Sequence, residues 1–220
     1  MGDKMHGIDS GVLAATASEI SKLKAIGVEV GIVIGGGNFL RGADIAGVNT
    51  RQVAADHMGM LATIMNSLTL HEALLAGGIT SSIMSAVEIP GVAPGFQYDL
   101  AIDKLSSGQV VIFAGGTGNP FFTTDTAACL RGIEIAADVV FKATKVDGVY
   151  AKDPVKYPDA EFYSKLDYAN VIAQNLAVMD MTAIILCQQH AMPLRVLNML
   201  KTDNLLQAVL SEEIGTLIKG

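Results

Sequence analysis

Apolar positions along the chain alternate between runs that suit a buried strand and spacings that suit a helix. Leu13, Ala17, Ile20 and Leu23 recur on one face of a helix over residues 12–26, opposite Glu19 and Lys22. Gly27 ends that helix, and the β-branched run Val28–Ile34 reads as a buried strand. Asp56 is placed to cap a long Met- and Leu-rich helix that runs to the Gly77–Gly78 break. A strand over Ile79–Met84, a helix over 98–106, a strand over Gln109–Ala114, a helix over Asp125–Ala137 and a strand over Asp138–Ala143 follow in turn. Val146-Asp147-Gly148-Val149 predicts a hairpin turn, since Asp-Gly supplies the positive φ that a tight turn needs. Beyond Pro154 and Pro158, helices are expected near 167–175 and 179–191, then a strand over Pro193–Met199, a helix over 203–210 and a last strand over Gly215–Ile218. This alternation predicts an α/β fold with a mostly parallel sheet covered by helices on both faces. No repeat or low-complexity linker interrupts it, so a single domain over residues 1–220 is expected.

Composition narrows the function classes. Half of the 220 residues are hydrophobic and only 17% are charged, which excludes a disordered chain. Fifteen basic against 22 acidic residues give a net charge of -7, so a nucleic-acid backbone is a poor partner, whereas a local cluster of donors can still bind a small anion. The two cysteines, Cys129 and Cys187, form neither a disulfide framework nor a zinc spacing. No apolar run reaches the ~18 residues of a membrane span and no signal peptide opens the chain, so a cytoplasmic protein without a membrane partner is expected.

Three strand ends carry unusual chemistry. In Ile34-Gly35-Gly36-Gly37-Asn38-Phe39-Leu40-Arg41, successive glycines let backbone N–H groups crowd toward an anion, and Arg41 adds a cationic fork. A plain turn is the competing reading; Arg41 and the apolar strand in front favour a phosphate loop. No Gly-Lys-Ser/Thr follows, and Leu40 takes the place of the third glycine of a dinucleotide fingerprint. Asp56 lies where a ribose-binding acid is expected, but it opens a helix instead of closing a second strand, so hydride transfer fails on context. The second loop, Gly115-Gly116-Thr117-Gly118-Asn119-Pro120-Phe121-Phe122-Thr123-Thr124-Asp125, brings backbone donors and Thr hydroxyls to the positive end of a helix. Its Thr123, Thr124 and Asp125 also suit plain helix caps. Third, Lys142 ends an apolar strand, where a charge is costly without an anionic partner, although a snorkelling lysine is the blander reading. His57, His71 and His190 make no zinc or catalytic spacing, and Met58, Met60 and Met65 are expected in the core.

The phrases Ile34-Gly-Gly-Gly-Asn38, Asp56-His-Met-Gly-Met-Leu-Ala-Thr63, Gly116-Thr-Gly-Asn-Pro-Phe-Phe-Thr-Thr-Asp125 and Lys142-Ala-Thr-Lys-Val-Asp-Gly148 resemble those of the bacterial uridylate kinases, in the amino-acid-kinase superfamily. The resemblance implies a three-layer αβα sandwich, a cytoplasmic homohexamer, and the reaction of MgATP with UMP to give ADP and UDP in pyrimidine nucleotide synthesis. It places Gly36, Asp56, Thr117, Gly118, Asn119, Pro120, Phe121, Phe122, Thr123 and Thr124 around UMP. Gly37, Arg41, Thr144, Tyr150 and Asp153 fall around ATP, and Lys142 and Asp180, with Arg41, beside the transferring phosphoryl group. The metal is Mg²⁺ carried by the nucleotide, not a protein-held ion.

Two departures from that pattern stand out. The family opens with a strand ending in Lys-x-Ser-Gly-Glu, and this chain starts at Met1, just after the place where that loop should end. The expectation is that Met1 is an internal methionine and that the natural protein is longer by a core strand. Burying about four large apolar side chains there at ~2 kcal/mol each is comparable to a domain's net stability. Second, His71, Glu72 and Ser82 occupy positions where activated relatives carry arginines linked to GTP control, so GTP activation is not carried over. A sister kinase with a carboxylate or carbamate acceptor fits the Asp56 helix and the Thr117–Thr124 loop less well. The absent lysine loop is the feature that favours a non-catalytic UMP- or UTP-binding or assembly protein.

Overall fold

The computed structural model describes residues 7–39 and 50–220. Contacts divide the chain into two units, Met1–Ala128 and Cys129–Gly220. In the first, α1 (Ser10–Ala25) and β1 (Gly31–Val33) precede α2 (Gln52–Ala76), β2 (Ser81–Ser85), α3 (Tyr98–Ser106) and β3 (Val110–Ala114). The helix α4 (Thr124–Glu134) runs across the boundary. The three strands form a parallel sheet in the order β1-β3-β2. Pleat alternation on β3 sends Val110, Ile112 and Ala114 into a cluster with Ile20 of α1 and Ile64, Leu70 and Leu74 of α2. Phe113 points the other way and meets the Phe96 ring edge-on at 5.7 Å. The core therefore anchors α2 along its second half, and this fixes where its first half stands.

Local chemistry explains the helix ends. Asp9 caps α1 by accepting from Gly11 N (2.9 Å) and Val12 N (3.2 Å). The expected cap at Asp56 is corrected: α2 starts one turn earlier behind Arg51, which makes no side-chain cap, and Asp56 lies inside the helix with its carboxylate turned to other work. Glu19, expected on the solvent face of α1, is buried and paired with Lys22. Of the methionines expected in the core, Met60 is buried but Met65 is exposed.

The second unit holds β4 (Val140–Thr144), β5 (Val149–Tyr150), β6 (Phe162–Tyr163), β7 (Lys165–Leu166), α5 (Tyr168–Ala173), α6 (Met181–Gln189), β8 (Leu194–Asn198), α7 (Asn204–Leu210) and β9 (Thr216–Ile218). Its sheet runs β4-β8-β9-β7, with β4–β8 and β7–β9 parallel and β8–β9 antiparallel. The expected α/β class and mostly parallel pairing are what is found. The hairpin expected at Val146–Val149 is corrected: β5 pairs with β6, β4 pairs with β8, and the Asp-Gly step joins strands that do not pair. Asp147 is drawn instead to Asn198 Nδ2 (3.1 Å) and Lys201 Nζ (2.7 Å), and those two donors hold its carboxyl below the usual carboxylate range.

Arg195 on β8 is a buried polar residue of this unit. Its Nη1 donates to Ala208 O (2.6 Å) and to Ser211 O, closing the last carbonyls of α7, and its guanidinium stands 6.0 Å from the Phe141 ring. Replacing it by methionine keeps the stem and leaves buried carbonyls unpaired, at a cost of ~2 kcal/mol. Part of that loss is offset, because methionine also removes a buried Nε–H that has no hydrogen-bond partner. Urea unfolding of Arg195→Met is expected to show a lower midpoint at unchanged slope.

Candidate active site

The first glycine loop leaves β1 at Ile34 and turns at Gly36, where Phe39 N donates to Gly36 O (3.1 Å). It is bound to α2 by side chains. Asn66 Nδ2 donates to Gly35 O (2.7 Å) and to Asn38 Oδ1 (2.6 Å), and Asn38 Nδ2 donates back to Asn66 Oδ1 (3.0 Å) and on to Gly7 O (3.1 Å). The backbone at Gly36 lies so close to α2 that a Cβ there would stand 2.7 Å from Gly59 O. Arg41 lies outside the described residues.

The second loop leaves β3 at Gly115, which adopts φ +76° and is pressed so closely on Ser85–Val87 that a Cβ would meet Ser85 Oγ at 2.8 Å. Its N–H donates to Thr63 Oγ1 of α2 (2.8 Å). Thr117 and Asn119 bond one another within the loop, Asn119 N donating to Thr117 Oγ1 at 3.2 Å. Phe121 takes a left-handed φ of +70°, and its N–H donates to Asp56 Oδ2 (2.7 Å), while Gln52 Nε2 donates to Asp56 Oδ1 (2.7 Å). Asp56 thus holds a strained loop residue, since a bulky side chain at positive φ costs energy unless its surroundings fix it. Phe121 and Phe122 are exposed.

Thr123 does what a helix cap does: its Oγ1 accepts from Asp125 N (3.1 Å) at the start of α4. Thr124 reaches the first loop, with its Oγ1 3.5 Å from where a Cβ on Gly35 would sit. The two loops therefore converge, with the amide end of α4 beside them, and this is the arrangement of an anion cradle. Gly36 packs against α2, and Asp56 of the same helix bonds Phe121 within the Thr117–Thr124 segment. Thr63 and Asn66 carry little signal in the sequence beyond a polar stripe at Asp56, Thr63 and Asn66 on an otherwise Met- and Leu-rich helix.

In the second unit Lys142 stands in the middle of β4, paired opposite Val196, and not at the strand's end as expected. Thr144 follows on the same pleat face and ties the strand to the next turn, its Oγ1 donating to Val146 O (2.7 Å) and accepting from Val146 N (3.2 Å). Tyr150 lies on β5 and meets Phe162 edge-on at 5.3 Å. Asp153 folds the segment after β5, Oδ1 accepting from Val155 N (2.9 Å). Asp180 caps α6 through Ala183 N (3.0 Å). Among the described residues, no group of three or more His, Cys, Asp or Glu side chains gathers to hold a metal ion, and no helix is long and apolar enough to cross a membrane.

The family model described as the Amino acid kinase family matches residues 2–198. The chain belongs to the amino acid kinase family. Among members of this family, it is 54% identical over 220 residues to a protein named Uridylate kinase from Saccharophagus degradans, covering 100% of this chain and 89% of that one. A solved UMP kinase from Bacillus anthracis superposes with a TM-score of 0.96 at 36% identity, covering 99% of this chain and 90% of that one. A UMP kinase from Ureaplasma parvum gives 0.92 at 33% identity, with 97% and 91% covered.

Proposed function

We propose that the chain transfers the γ-phosphoryl group of MgATP to UMP, giving ADP and UDP, in pyrimidine nucleotide synthesis in the cytoplasm. The observation that carries this reading is 54% identity over 220 residues to a protein named Uridylate kinase, and the hydrogen bonds that tie both glycine loops to α2 support it. A phosphate oxygen of UMP attacks the γ-phosphorus, and the bond from that phosphorus to the bridging oxygen of ADP breaks. The attacking oxygen is already anionic at neutral pH, so no strong general base is needed, and the protein's task is alignment and neutralisation of charge.

In this reading Gly36, Asp56 and the segment from Thr117 to Thr124 hold UMP. Gly37, Arg41, Thr144, Tyr150 and Asp153 hold the ATP, and Mg²⁺ enters with the triphosphate as part of the substrate. Lys142 and Arg41 offset the charge of the moving phosphoryl group, and Asp180 orients the charged groups around it. Assembly into a homohexamer belongs to the same reading; exposed Val53, Leu61, Met65 and Leu75 on α2 support a covered face.

The test is ADP release by the full chain with UMP, CMP, acetylglutamate or carbamate as acceptor. UMP-dependent turnover is expected. Turnover with acetylglutamate or carbamate and none with UMP would move the chain to a sister activity, and tight UMP binding without turnover would make it a binding protein.

A further inference from the structure

We infer that α2 is the template that sets the acceptor side of the site, with Thr63 and Asn66 as positioning residues that lock both glycine loops to one helix. Asp56, Thr63 and Asn66 are seven and three residues apart, which places them within about 80° of one another around the helix axis. From that one face α2 takes hold of the first loop at both ends, Gly35 and Asn38, and of the second at its root, Gly115, and its tip, Phe121.

Neither residue is there for the helix. A helical threonine satisfies its hydroxyl by donating back along its own turn, and Thr63 does so to Met60 O (2.7 Å). The same oxygen still accepts, and it takes the Gly115 N–H in a buried setting, so the donor that begins the second loop has one fixed direction. Asn66 is more than nine-tenths buried, and both its amide hydrogens and its oxygen are used, in a closed ring with Asn38. A side chain of that length with two donors and an acceptor is needed; leucine fills the space and supplies none of them.

The helix is itself anchored to the sheet through Ile64, Leu70 and Leu74, so the two loops inherit a single rigid reference. Catalysis by alignment needs such a reference, because a misplacement of ~1 Å can cost about 10²-fold in rate. The inference rests on the UMP kinase reading for the identity of the ligand, but the loop geometry can be tested without it.

Thr63→Val is isosteric and removes the acceptor. It is expected to raise KM for UMP about tenfold while KM for ATP stays within twofold, and Thr63→Ser, which restores the hydroxyl, is expected to recover the original value. Asn66→Leu reaches the other loop through different bonds and is expected to raise KM for UMP likewise, with KM for ATP rising too because Gly37 lies between the two bonded residues, so a variant that fails to fold leaves the other decisive. A lowered melting temperature with both KM values unchanged, or no recovery in Thr63→Ser, would overturn the inference. If the unaltered chain shows no UMP-dependent ADP release, the kinase reading falls by itself. Hydrogen exchange then decides: faster exchange over 116–121 in Thr63→Val and over 35–38 in Asn66→Leu, with the sheet still protected, supports the template role, and unchanged exchange in the loops rejects it.

Discussion

Replacing Lys142 by methionine is expected to lower kcat for UMP-dependent ADP release by about 10²–10³-fold, while UMP affinity stays within threefold. The side chain rises from the centre of β4, between Phe141 and Ala143 in a strand paired along its length with β8. In the reading proposed above its ammonium stands beside the moving phosphoryl group, and a compact charge on a flexible stem suits that position. In phosphoryl transfer, negative charge spreads over the equatorial oxygens of the moving group, and there is little covalent chemistry for the protein to do. A single preorganised donor in a water-excluded site is worth ~3–4 kcal/mol in the transition state, which is where the predicted loss comes from. Methionine keeps the unbranched stem and its packing, so a fall in kcat without a fall in melting temperature reads the charge alone. UMP affinity is spared because none of the residues proposed to hold it, Gly36, Asp56 and Thr117–Thr124, lies on β4. Steady-state kinetics with calorimetric UMP titration measure both. A Lys142→Met protein whose kcat stays within threefold would remove Lys142 from the phosphoryl path.

Legibility in the sequence follows whether a feature is decided locally. The strand Val110–Ala114 and the helix Tyr98–Ser106 match their sequence expectations almost residue for residue, because an unbroken apolar run and a helix-period face are signals that need no partner. The positions of the two glycine loops were equally plain, since each follows such a strand. Asp56 shows the opposite case. Read locally, an acid before a long apolar helix is a cap, but its carboxylate is claimed by Phe121 N, 65 residues away. Asp147-Gly148 has the residues of a hairpin turn, yet no strand pairs across it; Asn198 and Lys201 take its side chain instead. The two-residue strands β5, β6 and β7 are too short to show any period. Thr63 and Asn66 fail to stand out for the same reason as Asp147: a polar residue on a helix reads as solvated until its distant partner is known.

Replacing Gly36 by alanine is expected to lower kcat/KM for UMP about 100-fold while shifting the melting temperature by only a few degrees. Neither effect comes from backbone conformation, since Gly36 is not among the glycines with positive φ. The cause is contact. A Cβ at Gly36 would stand 2.7 Å from Gly59 O, 2.9 Å from Ala62 Cβ and 3.4 Å from Thr63 N, against the backbone of α2. Either the helix or the loop must yield. Moving α2 would disturb Ile64, Leu70 and Leu74, three large core side chains worth ~2 kcal/mol each when buried, whereas the loop is held by a few hydrogen bonds worth ~1 kcal/mol apiece. The loop therefore moves, at an overpacking cost of ~1–3 kcal/mol, and carries its amides away from the place proposed for the phosphate of UMP. A displacement approaching 1 Å accounts for the 100-fold loss, about 2.7 kcal/mol. Gly35 supplies the control one residue earlier, because a Cβ there would meet Thr124 Oγ1 at 3.5 Å, an ordinary contact. Gly35→Ala is expected to keep kcat/KM within about fivefold. Equal losses in the two variants would mean that loop flexibility, and not the close approach to α2, is what the glycines provide.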